Sequence, residues 1–288
     1  MKPALTAAVL VTLLAACAVD AASVRLFGKA DHPYELPAAE FTNYLFVGAL
    51  RDSAHPDDTL CFVLNLGFDF PLVDFALGRN ATVGLGVAPL FHLYMFPRES
   101  VFHNDNYYAV LSIYLAGTVG SHLAWRLYPI YHISAHLGDG APLVHGADRP
   151  AVSNEMVYLT LATRWVKGLE VLLGSGIYYH AVTRKQMDGI LNGACLYEYP
   201  LLRSLSVFGA LDGHLIFEDG VRAGGALRTG LRFRGSSGRR ADVALRWFSR
   251  PHKGQYHADR ERGIGCSIEF CPSLGRSHDA TPPSAVSR

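Results

Sequence analysis

Val221-Arg-Ala-Gly-Gly-Ala-Leu-Arg-Thr-Gly-Leu-Arg-Phe-Arg234 decides the fold. Val221, Ala223, Leu227, Leu231 and Phe233 fall on one parity; Arg222, Arg228, Arg232 and Arg234 fall on the other. Side chains of an extended strand alternate between its two faces, so this is a strand with one apolar face and one strongly basic face. The neighbouring stretches repeat the rhythm. After a tight turn at Gly235–Gly238, Val243, Leu245 and Trp247 oppose Asp242 and Arg246. In 153–166, Val157, Leu159, Leu161 and Trp165 oppose Asn154, Tyr158, Thr160 and Arg164. In 121–136, Leu123, Trp125, Leu127, Pro129, Tyr131 and Ile133 oppose Arg126, His132, Ser134 and His136.

Carried along the chain, the pattern yields twelve segments: 42–51, 59–70, 81–94, 105–117, 121–136, 153–166, 168–181, 190–201, 204–217, 221–234, 239–249 and 261–270. Their lengths suit strands that cross a bilayer. A secreted two-sheet sandwich would show the same alternation with its apolar face inward. Three features favour a barrel in lipid. Tight connections (Thr118–Gly120, Lys167, Leu202-Arg203, Gly235–Gly238) alternate with longer ones at 95–104, 137–152, 182–189 and 250–260, as periplasmic turns alternate with outer loops. Two connections break the trend: Glu218-Asp219-Gly220 is short for an outer loop, and 71–80 is long for a periplasmic turn. Tyr107, Trp125, Trp165, Tyr179 and Trp247 sit near strand ends, where aromatic girdles form. The last segment puts Ile264, Cys266, Ile268 and Phe270 in phase and ends on the aromatic residue. The expected fold is all-β: a transmembrane antiparallel up-and-down β-barrel of about twelve strands with a polar lumen.

The ends fit that address. Met1-Lys2, an apolar run from Ala4 to Ala16 and small residues through Ser23 describe a secretory signal peptide. Cleavage after Val19-Asp20-Ala21 competes with a lipobox-like Leu14-Ala15-Ala16-Cys17, which would leave Cys17 lipidated. The expected organisation is 1–22 signal peptide, 23–41 N-terminal extension, 42–270 barrel and 271–288 disordered polar tail. The most apolar mature stretch, Thr59 to Leu77, carries Asn65, Asp69, Pro71 and Asp74, which a membrane helix would not tolerate cheaply. A net charge of +1 gives no basis for binding nucleic acid. Cys61, Cys195, Cys266 and Cys271 show no disulfide or metal framework. The expected location is the bacterial outer membrane; the expected partners are its lipid and the barrel-assembly machinery, with no cofactor.

If lipid takes the apolar face, the lumen receives Arg126, Arg164, Arg222, Arg228, Arg232, Arg234 and Arg246 against Glu170, Glu198, Asp212 and Asp242. Two readings follow: a salt-bridge network that fills the lumen, or a surplus of arginine that draws an anion through a narrow solute pathway.

The densest polar run is Tyr131-His-Ile-Ser-Ala-His-Leu-Gly-Asp139, ahead of the longest loop. His132 and Ser134 are two apart on a strand and share a face, with Cβ atoms roughly 6–7 Å apart. A base beside a hydroxyl, oriented by Asn154 or the adjacent Glu155, would make an acyl-transfer site. The candidate catalytic set is His132, Ser134 and Asn154. This resembles the outer-membrane lipid esterases: outer-membrane phospholipase A uses His-x-Ser followed by Asn on the next strand, and lipid A 3-O-deacylase uses His-x-Ser followed by Glu. Those enzymes carry the site on the lipid-facing exterior, whereas by parity His132 and Ser134 share a face with Arg126. Other readings of the run are a hydrogen-bonded lumen cluster with Tyr94, Tyr108 and His180, or metal capture by His92, His132, His136 and His180.

The same run also resembles an outer-membrane barrel family of unknown function, which carries Tyr-His-x-Ser-Ser-His-Leu-Gly-Asp-Glu at a strand end and Gly-x-x-Pro-x-Gly-Gln-aromatic before the last strand. Here these read Tyr131-His-Ile-Ser-Ala-His-Leu-Gly-Asp-Gly140 and Pro251-His-Lys-Gly-Gln-Tyr256, with Asn104-Asp-Asn-Tyr107 similar to an earlier strand start. Ala135, Gly140 and the missing Gly before Pro251 depart from the pattern. The resemblance implies an outer-membrane barrel and no particular activity. The expected function is therefore a non-enzymatic surface barrel or narrow solute or anion pathway, with a lipid acyl-ester hydrolase as the alternative.

Overall fold

A computed structural model describes residues 23–26, 45–52, 60–77, 81–98, 101–137, 152–182, 187–218, 220–235, 240–250 and 261–271. The signal-peptide segment, most of the 23–41 extension, the tail beyond Cys271 and the Pro251–Tyr256 motif lie outside the described residues. The strands are β1 (Ser23–Leu26), β2 (Leu45–Asp52), β3 (Leu60–Gly67), β4 (Phe70–Ala76), β5 (Ala81–Arg98), β6 (Val101–Val119), β7 (Leu123–Leu137), β8 (Val152–Val166), β9 (Leu169–Val182), β10 (Met187–Leu202), β11 (Leu205–Glu218), β12 (Gly220–Arg234), β13 (Arg240–Arg250) and β14 (Glu261–Cys271).

From β5 to β14 every strand pairs antiparallel with the next; β14 then pairs with β2, β2 with β3 and β3 with β5, which closes the ring. Twelve wall positions result, because β3 and β4 share one. Gly67 lies opposite Leu90 and Phe70 opposite Val87, so the two strands follow one another along β5 with a break at Phe68-Asp69. The long turn expected at 71–80 is thus shorter: the chain stays in the sheet through Ala76. Pro71, which has no N–H to give a ladder, sits at a register shift between Pro71 and Val73. The loop expected at 95–104 is also mostly strand, since Arg98 pairs with Val101. Within the N-terminal extension, Ser23–Leu26 pairs with Val73–Ala76 of β4.

The ring of β2, β3 and β5 to β14 closes on itself, and the alternation then sorts the side chains. Leu173, Ile177, Leu211, Val243, Leu245 and Ile264 lie exposed on the outside, Ile177 at 69 % and Leu245 at 64 %. Arg126, Arg228, Arg232, Asp242 and Glu269 lie inside with almost no exposed surface. A soluble protein would reverse this order, so the outer face is built for acyl chains. No helix among the described residues is long and apolar enough to span a membrane; the crossing is made by strands. Gly120 and Gly168 take left-handed backbone in the β6–β7 and β8–β9 turns at one end of the barrel. At that end Trp165 stands exposed and stacks on His122 at 5.0 Å, part of an interfacial aromatic girdle. Short turns mark it as the periplasmic end, and β7 runs from it toward the outside.

Candidate functional site

Two polar assemblies stand out, one inside the barrel and one on its wall. The inner one is ionic. Arg228 reaches Asp242 at 2.7 Å and Glu269 at 2.5 Å. Arg232 bridges Asp242 (2.9 Å) and Glu198 (2.8 Å), Arg234 adds a second guanidinium to Glu198 (2.6 Å), and Arg246 holds Glu269 (2.5 Å). The rings complete the packing: Arg228 and Arg232 lie over Phe208 at 4.7 and 4.8 Å. A separate group joins Arg126 to Asp69 (2.8 Å), with Tyr114 donating to the same carboxylate and the guanidinium 4.1 Å from the Tyr114 ring. Arg164 pairs with Glu170, and Arg222 with Glu218. Each of the seven arginines assigned to the lumen therefore faces a carboxylate. Asp69, Glu218 and Glu269 are the acids that parity missed: Asp69 sits in the break between β3 and β4, Glu218 is the last residue of β11, and Glu269 faces inward from β14 opposite Asp242.

Apolar side chains from facing strands also meet across the lumen. Cys61, Val63, Tyr94 and Phe96 from β3 and β5 belong to one buried cluster with Leu196, Phe208, Ala210 and Phe248 from β10, β11 and β13. In a second cluster, Tyr114, Tyr128, Tyr158 and Tyr178 pack with Met156, Ile190 and Ile216.

The second assembly depends on one residue. Up to Tyr128, the even positions of β7 point inward: Ala124, Arg126 and Tyr128 are buried. Pairing with β8 then jumps from Tyr128↔Tyr158 to Tyr131↔Met156, and pairing with β6 from Leu115↔Leu127 to Ile113↔Ile130. This is a β-bulge at Pro129, and it inverts the phase of everything beyond it. Tyr131 turns inward onto Tyr128 (5.4 Å) and Tyr158 (5.8 Å), and Ile133 is buried. Ile130 is exposed, and His132, paired with the exposed Leu111, takes the outer face; Ser134 follows it. The assignment of His132 and Ser134 to the face of Arg126 is thereby corrected: they lie on the outside of the wall, with Tyr131 and Ile133 inside.

β8 keeps one phase throughout, with Asn154, Met156, Tyr158 and Thr160 buried and Val157, Leu159 and Leu161 exposed. Glu155 therefore faces out directly opposite His132, and its Oε1 lies 3.3 Å from His132 Nδ1. Asn154 pairs with Ile133 and faces the lumen, on the far side of the wall from Ser134. The structure brings together His132, Ser134 and Glu155, and separates Asn154 from them. On the other flank of Glu155, a second bulge in β9 sets His180 opposite it with Tyr179 as the additional residue, both exposed. The Tyr179 phenol stands on the same face as the Glu155 carboxylate and beside it.

His92, Tyr94 and Tyr108 are buried on the lumen side, His92 beside Asn65 at 3.3 Å. The four histidines considered for metal capture thus do not share a face, and no group of metal-holding side chains occurs among the described residues. The side chain of His136 lies outside what is described.

A closed twelve-position barrel, apolar outside and ionic inside, is a transmembrane β-barrel of the outer membrane. No family model matches the chain, and no curated protein matches it. Among solved structures it is similar to the KdgM porin (10% identity, TM-score 0.44, covering 79% of this chain and 98% of that one). It is also similar to the NanC porin (8%, 0.45, 79% and 99%) and to the transport unit of the autotransporter AIDA-I from Escherichia coli (10%, 0.46, 85% and 94%). At these values the likeness adds nothing to what the strand pairings establish.

Proposed function

We propose that this outer-membrane barrel is a lipid acyl-ester hydrolase that works on its outer wall near the extracellular rim, with Ser134 as nucleophile, His132 as base and Glu155 as the residue that orients the ring. The observation that carries this reading is the Pro129 bulge, which turns the His-x-Ser pair toward lipid and sets His132 against Glu155. An imidazole whose Nδ1–H is directed at a carboxylate has its Nε2 lone pair available, the atom that must take a proton from a hydroxyl two residues along the strand. Attack of Ser134 Oγ on the ester carbonyl passes the Ser proton to His132. That proton then leaves on the departing alcohol, and water, deprotonated by the same ring, releases the fatty acid and restores the serine. The surrounding Leu111, Ile130, Val157 and Ile177 offer an acyl chain an apolar surface beside these groups.

The solute-pathway reading has less support, because the inward arginines are paired with carboxylates and side chains from facing walls meet across the lumen. The test is a detergent-folded protein offered a p-nitrophenyl fatty-acid ester. Wild type should turn it over, and Ser134→Ala should lower turnover by about a thousandfold or more while keeping heat-modifiable migration on a gel. A fluorophosphonate should label wild type and not Ser134→Ala. Equal turnover by both proteins would remove the assignment.

A further inference from the structure

Resting on the acyl hydrolase reading, we infer that Tyr179 is a positioning residue for the reaction, acting on His132 through Glu155. In regular pairing one residue of β9 would stand beside Glu155 on the outer face. The bulge puts two there, since Glu155 pairs with His180 and Met156 with Tyr178, leaving Tyr179 as the additional residue. Bulges re-aim side chains, and this one sets a phenol beside a carboxylate that lies 3.3 Å from the imidazole opposite. Two bulges, at Pro129 in β7 and at Tyr179 in β9, thus flank one regular strand: the first brings His132 to the outer face opposite Glu155, and the second leaves Tyr179 beside it.

The carboxylate needs such a restraint. Glu155 projects from the wall on a flexible side chain that is about a third exposed. A glutamate free to choose among rotamers would hold His132 only part of the time. With an imidazole N–H on the β7 side and a phenol O–H on the β9 side, the carboxylate is held across the strand direction. The groups that face it are His132 from β7 and Tyr179 and His180 from β9. The Tyr179 ring is also half-exposed on the outer face, where an aromatic residue could serve merely as an interface anchor. The experiment has to separate the two roles.

Tyr179→Phe keeps the ring and removes the donor. With the p-nitrophenyl ester, kcat should fall about tenfold while KM stays as in wild type. In a Glu155→Gln background, adding Tyr179→Phe should cause no further loss, because the two groups act in series. Unchanged kcat, a change confined to KM, or full additivity with Glu155→Gln would overturn the positioning role and leave the hydrolase reading standing. Turnover that does not depend on Ser134 would overturn both. Heat-modifiable migration of each variant shows that it has folded.

Discussion

Asp242 has no exposed surface and meets three guanidinium groups: Arg228 at 2.7 Å, Arg232 at 2.9 Å and Arg240 at 3.4 Å. Removing one partner of a buried pair is costly because it leaves the other charge uncompensated in a poor solvent. Asp242→Asn keeps the shape and removes the charge. It should destabilise the folded barrel by about 3–5 kcal/mol, toward the lower end because Arg228 keeps Glu269 and Arg232 keeps Glu198. Arg234→Ala is the comparison, since that side chain is 44 % exposed and its pair with Glu198 should be worth about 1 kcal/mol or less. Urea midpoints of the two variants in lipid vesicles measure the difference. Equal midpoints would mean that the ion network lies in contact with water.

At the scale of the strand, the bulge in β7 makes a claim that chemistry can check directly. Beyond Pro129 the outward residues should be Ile130 and His132, and the inward ones Tyr131 and Ile133. In a background without the native cysteines, Ile130→Cys and His132→Cys should react with a lipid-soluble maleimide in vesicles, whereas Tyr131→Cys and Ile133→Cys should resist it. The reverse pattern would return His132 and Ser134 to the lumen. The strand positions themselves were legible from period-2 alternation, because each strand has lipid on one side and a polar interior on the other. The phase of β7 was not. Pro129 fits the outward parity of Leu123, Trp125 and Leu127, and alternation says nothing about where one residue is left over. That single residue decided which face His132 and Ser134 occupy and whether Asn154 or Glu155 could reach them. The Phe68-Asp69 break was hidden for the same reason, and with it the acid that holds Arg126.

For the molecule as a whole, strand number leaves the interior undecided. Twelve positions enclose more room than the filled eight-strand barrels and less than an open porin. Composition alone could not choose between packing and passage, since arginines and acids line both kinds of interior. The choice follows from pairing: each of the seven arginines described above faces a carboxylate, and aromatic and aliphatic side chains of β3 and β5 pack with those of β10, β11 and β13. A charge held by two opposite charges in a close-packed interior offers no site for a hydrated ion, and moving it aside would expose its partners at a cost of several kcal/mol. The reconstituted protein should therefore show no steady conductance in a planar bilayer and no swelling of sugar-loaded liposomes, while folding fully by heat-modifiable migration. Replacing inward bulk should change that. A joint Arg228→Ala and Phe208→Ala variant removes side chains that stack on each other at the middle of the network, and it should leak small ions if it folds. Conductance in wild type, left unchanged by charge reversal at Arg228 or Arg232, would mean that a path passes beside the network, and the filled-lumen account would fail.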